Sequence, residues 1–354
     1  MRRFTCSRLY YPVDMGGTPI KPRTKVASAT KSRQSRRIWG LLAEINNYSA
    51  VRPNSYDFYI KQEADILTRD EFQKLTQKVV ILDGATGSNL MAQGMPRGIC
   101  TEQWVIDHKD VIQKLQKAYM EAGSQIIYAP TFGGNRINLE KHGLEDRIRE
   151  INRTLVSYSR ETAGTRCYVA GDITTSGQFI TSDGDYTFET AYEMYQEQIR
   201  ILKDAGVDLI AAETMINIEE TLAAVDAARS VCDLPIMCTV TVEADGSIFS
   251  GGNAAEAAAA LESAGADAVG INCSVGPDQL VSVVRSIREA VSIPVIAKPN
   301  AGMPAIDDQG NAVYSMTPSD FARHMKVLVE NGASIIGGCC GTTPDYIREL
   351  VHIL

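Results

Sequence analysis

From Val79 to the C-terminus the sequence alternates, eight times over, between a short apolar run rich in β-branched residues and a segment with helical spacing. The runs are Val79–Ala85, Gln125–Phe132, Cys167–Ile173, Leu209–Met215, Ile236–Val242, Ala268–Ser274, Val295–Gly302 and Ser334–Cys340. Between them, Val111, Ile112, Leu115, Tyr119 and Ala122 share one helical face, as do Phe321, Met325 and Leu328. A weak internal repeat marks the junctions. Glu121-Ala-Gly-Ser, Asp204-Ala-Gly-Val, Ser263-Ala-Gly-Ala and Glu330-Asn-Gly-Ala each lead into an even-numbered run. In each, glycine stops the helix and a short turn starts the next strand. Eight strand–helix units in about 275 residues are what a (β/α)8 TIM barrel requires. A doubly wound open sheet is the alternative, and eight units of even length favour closure.

Chemistry in such barrels collects at the C-terminal ends of the strands. There the runs end in Asp83, Thr131, Asp172, Glu213, Cys273, Asn300 and the pair Cys339–Cys340. The pair sits in Gly337-Gly338-Cys339-Cys340-Gly341-Thr342-Thr343-Pro344, between a short apolar strand and a helix that Thr343 can cap with Pro344 at its first position. Neighbouring side chains on a regular strand point to opposite faces. The flanking glycines let the backbone leave that geometry, so both sulfurs can turn to one side. With Cys273, three converging thiolates leave one position of a tetrahedral zinc site open, the arrangement of a catalytic rather than a structural zinc. A vicinal Cys339–Cys340 disulfide is the competing reading, although adjacent residues suit disulfide geometry poorly.

Glu213 is informative because a carboxylate that ends an apolar strand is seldom buried without a partner. Asp83-Gly84 taken alone reads as a turn signal, and Gly84-Ala85-Thr86-Gly87 is too generic to identify a phosphate cradle. Cys100, Cys167, Cys232 and Cys238 read as small hydrophobes. The four histidines are scattered without ligand spacing. A different class, a barrel lyase working through a Schiff base, would need a lysine at a strand end, and Lys298 is the candidate.

Several of these stretches together resemble the homocysteine S-methyltransferase family. They are Gly337–Pro344, Ile271-Asn272-Cys273, Asp83-Gly84-Ala85-Thr86-Gly87, and Lys298-Pro299-Asn300-Ala301-Gly302-Met303-Pro304. Thr131-Phe132-Gly133, Lys141-His142-Gly143-Leu144-Glu145 and Gly171-Asp172-Ile173 add to the likeness. Within the family the sequence is most similar to the homocysteine-binding module of cobalamin-dependent methionine synthase, over roughly residues 70–354. The resemblance implies a Zn2+ held by Cys273, Cys339 and Cys340, which also carry the catalysis. It implies substrate contacts from Asp83 and Glu213 to the amino group of homocysteine, and from the loop amides near Gly84 and Ala85 to its carboxylate. Asn272 falls among the substrate contacts by the same likeness. The implied reaction is zinc-dependent methyl transfer to the homocysteine thiol, giving methionine. No Asp-x-His-x-x-Gly cobalamin-ligand motif occurs in the sequence, so the expected donor is a separate methylated corrinoid protein or methylcobalamin. The alternatives are a donor of the S-methylmethionine or betaine type, or another small thiol as acceptor.

Composition sets the remaining expectations. The net charge of −8 conceals an asymmetry: residues 1–78 hold 15 lysines and arginines against 7 acids, and the remainder 20 against 36. An acidic body argues against nucleic acid as a partner. No apolar run approaches the roughly 18 residues needed to cross a bilayer. Eight cysteines in a chain of 354 residues with 44% hydrophobic content fit thiol or metal chemistry in a reducing, cytoplasmic compartment. The reading divides the chain into a basic, mostly irregular extension over 1–68 and the barrel over 69–354, whose first helix starts at a Thr68–Glu71 capping box.

Overall fold

The computed structural model describes residues 67–181, 184–307 and 312–354. The expected irregular extension lies, up to residue 66, outside the described residues. The barrel strands are β1 (Val80–Ile81), β2 (Ile126–Tyr128), β3 (Tyr168–Ile173), β4 (Leu209–Met215), β5 (Ile236–Val240), β6 (Ala268–Asn272), β7 (Val295–Lys298) and β8 (Ala333–Ile336). Each pairs in parallel with the next, β8 returns to β1, and a parallel bridge between Leu82 and Ile126 joins β1 to β2. The sheet is therefore closed, a (β/α)8 barrel rather than an open sheet.

Alternation along the strands builds two cores. Val80, Leu82, Ile126, Tyr128, Tyr168, Ala170, Leu209, Ala211, Met237, Ala268, Ile296 and Ile335 fill the interior. The intervening residues, among them Val169, Ile210, Ala212, Val269, Ile271 and Ile336, face the helices. The four glycines of the repeat, Gly123, Gly206, Gly265 and Gly332, all adopt positive φ where a helix ends, a conformation that L side chains avoid.

The helix Arg69–Leu75 does open with the Thr68–Glu71 capping box. However, Leu67 packs with Phe72 into the interior core at 2% exposure. The interior core thus already includes Leu67. The run expected to continue to Gly302 leaves the sheet at Lys298, and Pro304–Ile306 pairs antiparallel with Ala312–Tyr314 as a separate two-stranded element over the mouth. At the last helix, Pro344–Ile353, Pro344 stands at the first position as expected, whereas the Thr343 side chain makes no cap bond.

Candidate active site

Three strands break their alternation at the C-terminal mouth, and the site is the product of those breaks. On β4 a bulge lies between Ala212 and Met215. Thr214 there has φ 59°, so Glu213 and Thr214, consecutive residues, both line the cavity while Met215 returns to the outer core. A bulge of this kind re-aims a side chain without ending the strand. On β6 the same happens one residue past Asn272, where Cys273 has φ 48° and turns into the cavity. After β8 the turn is made by close approach. A Cβ on Gly337 would lie 2.7 Å from the Asp83 carbonyl oxygen, and one on Gly338 2.5 Å from Thr342 Oγ1. Without those side chains Cys339 and Cys340 both reach the cavity.

The result is a cluster of three sulfurs, Cys273, Cys339 and Cys340, with all Sγ atoms within 4.8 Å of one another and Cys273 Sγ 3.4 Å from Cys340 Sγ. Tetrahedral zinc with Zn–S bonds near 2.3 Å needs sulfurs about 3.8 Å apart, so the donor set fits the ion in both number and spacing. Hydrogen bonds from Cys273 and then Cys339 hold the Cys340 thiol down to about 3, and Tyr314 of the hairpin adds a further hydrogen bond.

Beside the sulfurs lies a buried charge cluster. Lys298, 3% exposed, places Nζ 3.1 Å from Glu213 Oε2 and 3.8 Å from Asp83 Oδ1, 4.4 Å above the Tyr128 ring. Burial disfavours its charge, but Glu213 and Asp83 outweigh that and hold the ammonium well above its ordinary range. A Schiff-base lysine requires the opposite shift, so Lys298 is a counter-ion here and the lyase reading loses its nucleophile. Asp83 accepts from the Tyr128 amide (2.8 Å), and burial pushes its carboxyl up to about 6 against the pull of Lys298.

Two of the expected substrate contacts have partners within the protein. The Ala85 amide donates to Thr342 Oγ1 (3.1 Å). Gly84 is itself packed so tightly that a Cβ would lie 2.6 Å from Tyr119 Oη. Asn272 is wholly buried, and its amide is bound to Thr214 through both ends.

The cavity, about 270 Å3, is lined by Ala85, Tyr128, Asp172, Glu213, Lys298 and the three cysteines, with Glu102 and Phe132 on the same wall. Asp172 is 5% exposed and its Oδ1 has no hydrogen-bond partner. Burial, then the charge of Glu213, push its carboxyl well above the usual range. Glu102 accepts from the Gly133 amide (2.7 Å) and carries no sequence signal, since it sits on a helix rather than at a strand end. Thr214 and Tyr314 were likewise illegible, because a bulge and a hairpin bring them in.

Comparison with known proteins agrees with this geometry. Residues 80–354 match the family model described as homocysteine S-methyltransferase. Over 299 residues, 79% of the chain, the sequence is 31% identical to the methionine synthases of Mycobacterium leprae and Mycobacterium tuberculosis, of whose length the chain spans 25%. The metallated form of the homocysteine methyltransferase MmuM from Escherichia coli superposes with a TM-score of 0.66 at 20% identity, over 80% of this chain and 98% of that one. With three quarters of its residues matched to one family model and a mouth that carries the cysteine cluster, the chain belongs to the homocysteine S-methyltransferase family of enzymes.

Proposed function

We propose that this protein transfers a methyl group to the sulfur of homocysteine, forming methionine, with Cys273, Cys339 and Cys340 holding a zinc ion. The observation that carries the proposal is the convergence of the three sulfurs within 4.8 Å on a cavity that also holds a buried carboxylate–lysine cluster. Three thiolates and Zn2+ leave one net negative charge and one coordination position, and zinc there would strip the acceptor thiol of its proton while leaving its sulfur electron-rich.

The chain's own residues supply orientation. Asp83 and Glu213 share a single ammonium, that of Lys298. Two carboxylates against one ammonium give the trio a formal charge of minus one, which suits the ammonium of an amino-acid substrate. Glu213 faces the cavity directly; Asp83 supports it through Lys298. These groups position rather than exchange protons. In the transfer itself the sulfur lone pair forms the new S–C bond, and the donor's leaving group keeps the electron pair of the bond that breaks. The donor we favour is methylcobalamin or a methylated corrinoid protein, on the likeness of Lys298–Pro304 to the cobalamin-dependent module. The described residues include no helix long and apolar enough to cross a membrane.

The test is direct. Reduced protein loaded with zinc should show three sulfurs in the metal's first shell by X-ray absorption, rising to four with homocysteine, and should release methionine when given methylcobalamin. Zinc-loaded protein whose sulfur count stays at three with saturating homocysteine would overturn the reading.

A further inference from the structure

Thr214 and Cys273 are the two non-glycine residues with positive φ among those described. One side chain lies between them. Asn272, on β6, accepts at Oδ1 from the Thr214 amide (2.8 Å) and donates through Nδ2 to Thr214 Oγ1 (2.8 Å). The same Nδ2 lies 3.9 Å from Cys339 Sγ. Asn272 thus reaches across the end of β5 to grip β4, and it immediately precedes Cys273.

A left-handed backbone is costly for any residue with a Cβ and most so for a β-branched one such as threonine. It persists where the surroundings over-determine it. At Thr214 both the amide and the hydroxyl are claimed by Asn272, while Thr174 Oγ1 donates to the adjoining Glu213 carbonyl (2.8 Å). With the Asn272 bonds gone, Thr214 regains ordinary strand geometry, turns outward, and swings Glu213 off its line to Lys298 and the cavity.

We propose that Asn272 is a positioning residue that fixes the two left-handed turns together, so that Glu213 and the cysteine cluster keep one relative placement. The kinetic part rests on the homocysteine reading; the metal part does not. Cobalt(II) titration of apo-protein, followed by its sulfur-to-cobalt charge-transfer band, reads the cysteine cluster without turnover. Asn272→Ala should lower cobalt affinity about 10- to 100-fold, as loss of an outer-shell partner does, and should raise the homocysteine KM about tenfold with a smaller change in kcat. Glycine accepts positive φ without a steric cost. The double variant Asn272→Ala/Thr214→Gly should therefore recover most of the KM loss while cobalt affinity stays low. Asn272→Asp keeps an acceptor for both Thr214 groups but loses the donor to Cys339, so it should shift the charge-transfer band.

Asn272→Ala with cobalt affinity and KM both unchanged would overturn the inference, as would failure of Thr214→Gly to recover KM. If the alanine variant does not fold, Asn272→Asp decides alone: an unmoved cobalt band overturns the proposal. Wild-type protein that binds cobalt but methylates no homocysteine would sink the functional reading and leave the cobalt comparison to judge Asn272.

Discussion

Lys298 holds a single ammonium between two carboxylates in a water-poor wall, and its removal exposes what the arrangement costs. Lys298→Met leaves Asp83 and Glu213 buried with no cation, and breaking a buried ion pair from one side typically costs about 3–5 kcal/mol. The expected result is a sharply lower thermal midpoint in metal-free protein; a K298M variant as stable as wild type would show that the trio is not ionised. Asp83 gives a pH signature. Its folded value, about 6, lies above the 3.8 of an ordinary aspartate. The stabilisation from holding that proton is complete below 3.8 and fades as pH rises through about 6. Asp83→Asn should therefore flatten the fall in stability across that interval, measured by urea unfolding at a series of pH values. Glu213→Gln removes the charge that faces the cavity and should weaken homocysteine binding by roughly 1.5–3 kcal/mol, with zinc retained. Equal use of a thiol without the amino group by wild type would refute the role of Glu213.

At the scale of elements, what could be read in the sequence and what could not follow from one physical distinction. Period-2 runs and helix-stopping glycines are local signals, so the eight strands and the closure were legible. The convergence of Cys273, Cys339 and Cys340 was also legible, because glycines flank the pair and each cysteine ends a run. The bulge at Glu213–Thr214 was not, since nothing in Leu209–Met215 marks which residue will turn left-handed; that is decided by Asn272, 58 residues away. Lys298 read as a strand-end lysine that could form a Schiff base, and its pairing was not legible because Asp83 and Glu213 come from other parts of the chain. The barrel wall also depends on backbone contacts no pattern reveals. A Cβ on Gly270 of β6 would collide with the backbone carbonyl of Ile296 on β7, and neither strand can yield without breaking its ladder. Gly270→Ala is expected to cost about 3 kcal/mol, as overpacking in a tight core does. Unchanged denaturant stability in that variant would show that β6 and β7 separate more freely than their pairing indicates.

For the whole molecule, the described residues that line the cavity all lie at or beyond Ala85, and the interior core closes at its lower end with Leu67 and Phe72. A protein starting at Leu67 should therefore fold, bind one zinc and methylate homocysteine, whereas removing Leu67 as well should lower its melting temperature by loss of a buried side chain. An insoluble or metal-free 67–354 protein would show that the barrel depends on residues before it. The same view bears on the methyl donor. The cavity, about 270 Å3, lies at the C-terminal mouth of the barrel, where a donor would enter. The loops there expose Phe132, Phe179, Phe249, Met303 and Val313, apolar surface that a large donor can cover and a small one cannot. Methylcobalamin, free or protein-bound, should then support methionine formation, and S-methylmethionine and betaine should be turned over poorly. Replacing Phe249 with Ser should raise the KM for protein-bound methylcobalamin while leaving the homocysteine KM unmoved, because Phe249 is 78% exposed and does not line the cavity. Rapid turnover of S-methylmethionine with none of methylcobalamin would reverse the choice of donor and leave the sulfur chemistry of Cys273, Cys339 and Cys340 as it stands.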